Sequence, residues 1–318
     1  MDVFIVSDVG GTQIRVAAYA VDSLELVNQK KIPTKSKNQL PIERLISLIK
    51  EVNADSSIKA IALAVAGYLD SDAGIVIEAP NIRGWNNYPL KDLLNNEFSV
   101  PIFMGNDANL AALAEWKFGA GIGHSNLLYL TVSTGIGGGA IVNNQLLLGA
   151  KGLGGEFGHT TVLPDGPLCG CGKHGHIEAI SSGTGILKYV QEQISQGKSS
   201  SLSALEKISG KDISQAARQG DSLAIEVYQR AGFFLGIALA NFVHILNPSI
   251  IIFGGGVASS AGDLIFESMR NSLQNSIISP AYLDNLSITN SRLGDEVGLK
   301  GALALLVTQF SPNLIEQI

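Results

Sequence analysis

The chain has almost no cysteine. Two occur in 318 residues, Cys169 and Cys171, with one glycine between them, so a disulfide framework is excluded by count. Basic residues are also few, 22 Lys and Arg against 28 Asp and Glu, and no basic block occurs anywhere. On that balance duplex nucleic acid is not an expected partner. No apolar run reaches bilayer length. Residues 233–245 come nearest, but Asn241 and His244 interrupt them, so they read as a buried core helix and no membrane partner is expected. The opening stretch, Met1 to Asp8, lacks both a basic n-region and a long apolar segment and reads as a strand. The cytoplasm is the expected location.

Glycine is abundant: 36 residues, gathered at turns after strands, in a chain that is 46% hydrophobic and 16% charged. That composition describes a folded protein, and the length suits two domains. Hydrophobic periodicity predicts strands at 3–6, 14–19 and 24–32, a helix at 42–52, and a strand at 60–66. A hairpin region around Asp70-Ser71-Asp72 and a loop at 80–85 follow, then a strand at 100–104 and a helix at 108–118. The order then begins again with strands at 126–132 and 139–143, separated by a glycine turn. Helices are expected at 222–245, 261–276 and 297–310, and strands at 250–253 and 286–290. Two halves that each open strand, Gly-rich turn with Thr, strand suggest an internal duplication, with the boundary at the glycines of 119–123.

Three turns carry chemistry. Asp8-Val9-Gly10-Gly11-Thr12 combines a carboxylate able to hold a hydrated divalent cation, glycines that let N–H groups converge on an anion, and a hydroxyl. It is neither a dinucleotide fingerprint nor a P-loop, because it leads into a strand and lacks the Gly-Lys-Ser/Thr ending. Ser133-Thr134-Gly135-Ile136-Gly137-Gly138-Gly139 echoes it. Gly254-Gly255-Gly256 follows a strand, either to let a base and ribose lie against backbone or as a packing turn. Asp107, in Gly105-Asn106-Asp107-Ala108-Asn109, falls at the C-terminal end of a strand, where open α/β sheets keep their chemistry. A lone Asp there would serve as a helix cap. Beside two phosphate turns it becomes the base of a phosphotransferase.

The remaining chemistry lies in Gly154-Gly155-Glu156-Phe157-Gly158-His159 and Cys169-Gly170-Cys171-Gly172-Lys173-His174-Gly175-His176-Ile177-Glu178. Two thiolates and nearby imidazoles suit structural Zn²⁺, with His159, Cys169, Cys171 and His176 as the quartet and His174 competing with His176. Glu156 and Glu178 flank it and can accept hydrogen bonds from sugar hydroxyls.

In this order the motifs resemble the ROK family of sugar kinases and related repressors, within the actin-like, hexokinase-like ATPase group, over essentially the whole chain. The resemblance implies an α/β fold of two lobes with an internally duplicated core and a cleft between them. It implies an N-terminal lobe at 1–118 completed by a helix at 297–318, and a larger lobe at 119–296 carrying the zinc loop. It implies Asp107 as base, Asn106, Glu156, His159 and Glu178 as hexose contacts, Asp8, Gly10, Gly11, Thr12, Thr134 and Gly135 around the ATP phosphates and Mg²⁺, and Gly254, Gly255 and Gly256 beside the adenosine.

The loop Ala79-Pro80-Asn81-Ile82-Arg83-Gly84-Trp85 resembles a Pro-Asn…Gly-Trp stretch of the family's glucokinases. Glucose is therefore the first expected acceptor, with Asn81 touching it and Trp85 as packing. Other hexoses and N-acetylhexosamines are the alternatives, and a sugar-sensing binder without turnover the remote one. The family also implies a homodimer or homotetramer. Two departures stand out: Gln13 follows Gly-Gly-Thr, leaving Arg15 or no cation to offset phosphate charge, and His176 stands where the family's zinc motif has a third Cys. With its first phosphate turn at residue 8, the chain is expected to lack the helix-turn-helix domain of the repressors.

Overall fold

The computed structural model describes residues 1–310. Their contacts divide the chain into two compact units. The first comprises Met1–Gly123, Leu146–Gly155 and the segment from Arg292 on; the second comprises His124–Gln145 and Glu156–Ser291.

The first unit is built on five strands in the order β3-β2-β1-β4-β7: β1 (Asp2–Val9), β2 (Gln13–Ala20), β3 (Leu26–Pro33), β4 (Ser57–Val65) and β7 (Ile102–Asn106). β1 pairs antiparallel with β2 and parallel with β4, and β4 pairs parallel with β7. Val3 to Val6 and Ala60 to Val65 are buried throughout, as expected of central strands covered on both faces. A small hairpin, β5 (Tyr68–Asp70) and β6 (Ile75–Glu78), stands at the foreseen Asp70-Ser71-Asp72 turn. The helices are α1 (Pro41–Asn53), α2 (Leu90–Phe98), α3 (Asp107–Phe118) and, last among the described residues, α10 (Val297–Phe310). The part of the expected terminal helix at 311–318 lies outside the described residues.

The second unit repeats the plan with β10-β9-β8-β11-β12: β8 (Leu127–Val132), β9 (Ile136–Val142), β10 (Gln145–Leu146), β11 (Ile250–Gly254) and β12 (Ser287–Asn290). β8 pairs antiparallel with β9 and parallel with β11, which pairs parallel with β12. The strand order and directions match those of the first sheet, so the duplication read from the turns extends to topology. The helices are α4 (Ile177–Ser181), α5 (Gly183–Ser195), α6 (Gly210–Arg218), α7 (Ser222–Leu246), α8 (Gly256–Ala261) and α9 (Asp263–Ser276).

Two expectations are corrected. Gly137, Gly138 and Gly139 are strand residues of β9, so the second turn is only Ser133, Thr134 and Gly135. Small size is required there by packing: a Cβ on Gly138 would stand 2.7 Å from the Tyr129 carbonyl oxygen and 2.9 Å from the Phe157 ring. The helix expected at 261–276 is broken at Gly262, whose φ of +53° ends α8 before α9 starts. The helix expected at 222–245 is present as α7, which begins at Ser222 and is capped by the Asp221 side chain. By length and composition α7 is the one helix among the described residues able to cross a membrane, but 61% of its apolar window is buried within the structure.

Candidate active site

In the first unit, the chemistry gathers at the C-terminal ends of β1, β4 and β7, where the register sets Asp8 beside Ala64 and Val65 beside Asn106. The turn after β1 is closed by the Gly10 N–H donating to the Gln13 carbonyl at 3.0 Å. Thr34, buried just past β3, donates from its hydroxyl to the Gly10 carbonyl at 2.6 Å and from its N–H to the Thr12 carbonyl at 2.9 Å. The Gly10 and Thr12 carbonyls are thus bonded from within the unit, which leaves the N–H groups of Gly11 and Thr12 as the turn's donors toward an anion. Gly11 lies against the 79–85 loop: a Cβ there would stand 2.4 Å from the Asn81 Cβ. Asn81 itself is exposed, while Trp85 is 1% exposed and stacks on Tyr88.

The Asp8 carboxylate packs against Gly298 in the first turn of α10, where a Cβ would be 2.5 Å from Oδ2. Loss of water around it raises its pKa above the ordinary carboxylate value, and Arg15, with Nε 3.7 Å from Oδ2, opposes that rise. The Arg15 guanidinium also donates to the Asp295 carbonyl. The cation considered as a phosphate partner is therefore engaged with Asp8 and the backbone.

At the end of β7, Asn106 caps α3. Its Oδ1 accepts from the N–H groups of Ala108 and Asn109, each at 3.0 Å, and its Nδ2 donates to the Gly67 carbonyl at 3.1 Å. The cap function considered for Asp107 thus falls to its neighbor. Asp107 is the first residue of α3, at the positive end of the helix, and its Oδ1 accepts from the Ala108 N–H at 2.9 Å.

In the second unit the turn after β8 has the same logic. Ser133 accepts from the Gly183 N–H at 2.8 Å, Thr134 accepts from the Thr184 N–H and hydroxyl at 3.2 and 2.8 Å, and Gly135 accepts from the Ser133 N–H at 2.9 Å. At the end of β11, packing explains Gly254 and Gly255: a Cβ would stand 2.2 Å from the Tyr129 hydroxyl oxygen and 2.4 Å from the Val132 carbonyl oxygen respectively. Only Gly256 has open space beside it.

The thiols and imidazoles converge. One ligand atom from each of His159, Cys169, Cys171 and His176 lies within 4.8 Å of all the others. Cys169 Sγ is 3.7 Å from His159 Nδ1, and Cys171 Sγ is 3.2 Å from His176 Nδ1. His174 turns away to the Gly166 carbonyl at 3.0 Å, which separates the two competing imidazoles. The backbone makes this choice, because His176 bridges to Thr161 while His174 bridges to Leu168. Burial pushes the Cys169 thiol up to about 11, with the Cys171 backbone opposing and the Cys171 side chain and Glu178 adding to the rise. Burial holds His176 below the usual imidazole value, assisted by His159 and Lys173 and opposed by Glu178. Glu156, with 43% of its side chain exposed, has Oε2 3.9 Å from His159 Nε2. Its pKa is raised by loss of water, lowered by His159 and raised again by Glu178.

Two residues were missed in the sequence. Asn109 is 4% exposed and donates from Nδ2 to the Gly154 carbonyl at 3.2 Å. Glu115 is fully buried and accepts from the Ala120 N–H at 2.7 Å and the Leu293 N–H at 3.0 Å, tying the far end of α3 to the segment before α10. A carboxylate inside the Ala-rich pattern of 108–118 was the available signal for Glu115.

The model of the ROK family matches residues 5–309. The chain belongs to the ROK family. It is 35% identical to a glucokinase of Thermotoga maritima over 305 residues, 94% of this chain and 95% of that one. It also matches the crystal structure of a ROK family glucokinase from Streptomyces griseus in complex with glucose and AMPPNP, at TM-score 0.78 and 32% identity, covering 94% and 97% of the two chains. This ROK member is accordingly an ATP-dependent hexose kinase with the mixed α/β, two-sheet architecture of its family.

One expectation is overturned. A xylose repressor of Caldicellulosiruptor bescii is 34% identical over 266 residues, 82% of this chain and 66% of the repressor. The exclusion of nucleic acid from charge therefore fails. Net charge reports the whole surface, and ROK chains this similar include repressors, so an acidic balance does not separate the two roles.

Proposed function

We propose that this chain transfers the γ-phosphoryl group of ATP to the 6-hydroxyl of glucose, giving glucose 6-phosphate and ADP. The observation that carries the reading is the division of labor between neighbors: Asn106 caps α3, and Asp107 stands first in that helix at the end of a parallel strand. In this reading Asp107 orients the hydroxyl and accepts its proton as the oxygen bonds to phosphorus and the bridge to ADP breaks. The turns holding Gly10, Gly11 and Thr12, and Thr134 and Gly135, bind phosphate oxygens through N–H groups and hydroxyls. Asp8 would hold hydrated Mg²⁺, which supplies charge neutralization on the phosphates. Gly254, Gly255 and Gly256 border the adenosine, with Gly256 offering the open backbone.

Asn81, Asn106, Glu156, His159 and Glu178 hold the sugar hydroxyls. Support for glucose comes from the glucokinase relatives and from the 79–85 loop packed on Gly11. The donors of His159, Cys169, Cys171 and His176 suit tetrahedral Zn²⁺, which would brace the loop carrying Glu178 and take no part in transfer. The same reading places the protein in the cytoplasm, where ATP is available. Product formation with a panel of hexoses and N-acetylhexosamines, crossed against ATP, ADP and polyphosphate, tests it. A higher kcat/KM for N-acetylmannosamine than for glucose would overturn glucose as the acceptor.

A further inference from the structure

Glu178, which the proposed function gives to the sugar, touches both the phosphate turn and the thiol–imidazole cluster. Its Oε2 accepts the Ile136 N–H at 3.0 Å, at the exit of the phosphate turn. It fills the space beside Gly135 so fully that a Cβ there would stand 2.4 Å from the same oxygen. Its Oε1 accepts from Cys169 Sγ at 3.4 Å. The carbonyl oxygens of Ser133, Thr134 and Gly135 are all bonded from within the unit. The turn is therefore prepared for an anion, and the anion in contact with it is the protein's own carboxylate.

We propose that Glu178 makes phosphate-donor binding depend on sugar. Without sugar its charge lies against the turn and opposes a polyphosphate. When sugar hydroxyls donate to the same carboxylate, they turn it from the phosphate turn and screen its charge, and the turn binds nucleotide more tightly. The inference rests on the assignment of Glu178 to the sugar and of the turn to the phosphates. A unit charge a few ångströms away in a water-rich setting changes an affinity by about fivefold, and linkage requires nucleotide to tighten sugar by the same factor. The arrangement also discourages transfer to water, since the donor is held weakly until an acceptor is present.

Calorimetric titration of Mg²⁺ and a non-hydrolyzable ATP analogue, with and without glucose, tests this on wild type and Glu178→Gln. The amide still accepts the Ile136 N–H but carries no charge. Glucose is expected to tighten the analogue in wild type by up to about fivefold, the limit set by full loss of the charge, and the analogue to tighten glucose by the same factor. The sugar-free Gln variant, with its metal content unchanged, is expected to bind the analogue about fivefold more tightly than sugar-free wild type. Equal or weaker sugar-free binding by the variant, or wild-type binding indifferent to glucose, would overturn the proposal. Should the Gln variant not fold, Glu178→Asp draws the charge back by one methylene; its sugar-free affinity is expected to exceed that of wild type, and no gain would overturn the proposal. Failure of the underlying assignment looks different: wild type would bind neither glucose nor the analogue.

Discussion

Asn109 donates from Nδ2 to the Gly154 carbonyl at 3.2 Å, joining the helix that begins with Asp107 to the residue two before Glu156. Its Oδ1 is buried without a partner, so the side chain is kept for its donor. Asn109→Asp keeps the shape but sets an acceptor against that carbonyl and buries a charge. Stability is expected to fall by about 2 kcal/mol or more, which thermal unfolding would register as a loss of about 4 °C or more.

Asp107→Asn deletes the base and keeps the cap, because Asn106 makes the capping bonds. Turnover is expected to fall at least about 10²-fold while the fold is kept and Tm drops by at most a few degrees. Asn106→Ala should do the reverse in stability, lowering it by about 1 kcal/mol. Near-native kcat in Asp107→Asn with glucose still bound would remove Asp107 from the chemistry.

Asp8 gives a pH signature. Its pKa is raised in the folded chain by burial, so its ionization opposes folding. The stability it contributes is fully present below its unfolded pKa and is lost as pH rises through the folded value. Asp8→Asn should therefore unfold at or above the wild-type temperature at neutral pH, with the difference closing toward pH 3, while Mg·ATP-dependent turnover collapses. A variant less stable at neutral pH than at acid pH, relative to wild type, would mean the Arg15 pair outweighs the burial.

Purified protein should contain about one zinc per chain. Replacing Cys169 and Cys171 with serine should release it and raise the sugar KM more than the ATP KM, because the bound loop carries Glu178. His176→Ala should lose the metal and His174→Ala keep it, since only His176 joins the cluster. Fully active enzyme without metal, by elemental analysis, would end the assignment.

The fold was legible where short apolar runs met glycine. Residues 3–6, 60–65, 127–132 and 250–253 are central strands, and buried strands announce themselves as unbroken apolar runs. α5 was not, because Gly183 and Gly185 stand in its first turn and read as loop. α6 carries apolar Ile213, Ala216 and Ala217 among polar residues, too short a pattern to stand out. Of the site, spacing found the quartet but not the choice of His176, which depends on backbone bridges formed only after folding. Asn109 and Glu115 stayed hidden because their partners are backbone groups of Gly154, Ala120 and Leu293, and a sequence does not display which carbonyl or N–H will lack a mate.

The matching strand orders have a consequence for where novelty could arise. Strand by strand, β1 corresponds to β8, β4 to β11 and β7 to β12. After both strands of the first pair comes a turn with most of its carbonyls bonded, and after both of the second a glycine of positive φ, Gly67 at +144° and Gly255 at +92°. After the third the halves part: β7 runs into Asn106 and Asp107, whereas β12 ends at Asn290 and is followed by Ser291. The repeat thus accounts for both glycine turns but not for the carboxylate proposed as base, which stands at only one of the two third-strand ends.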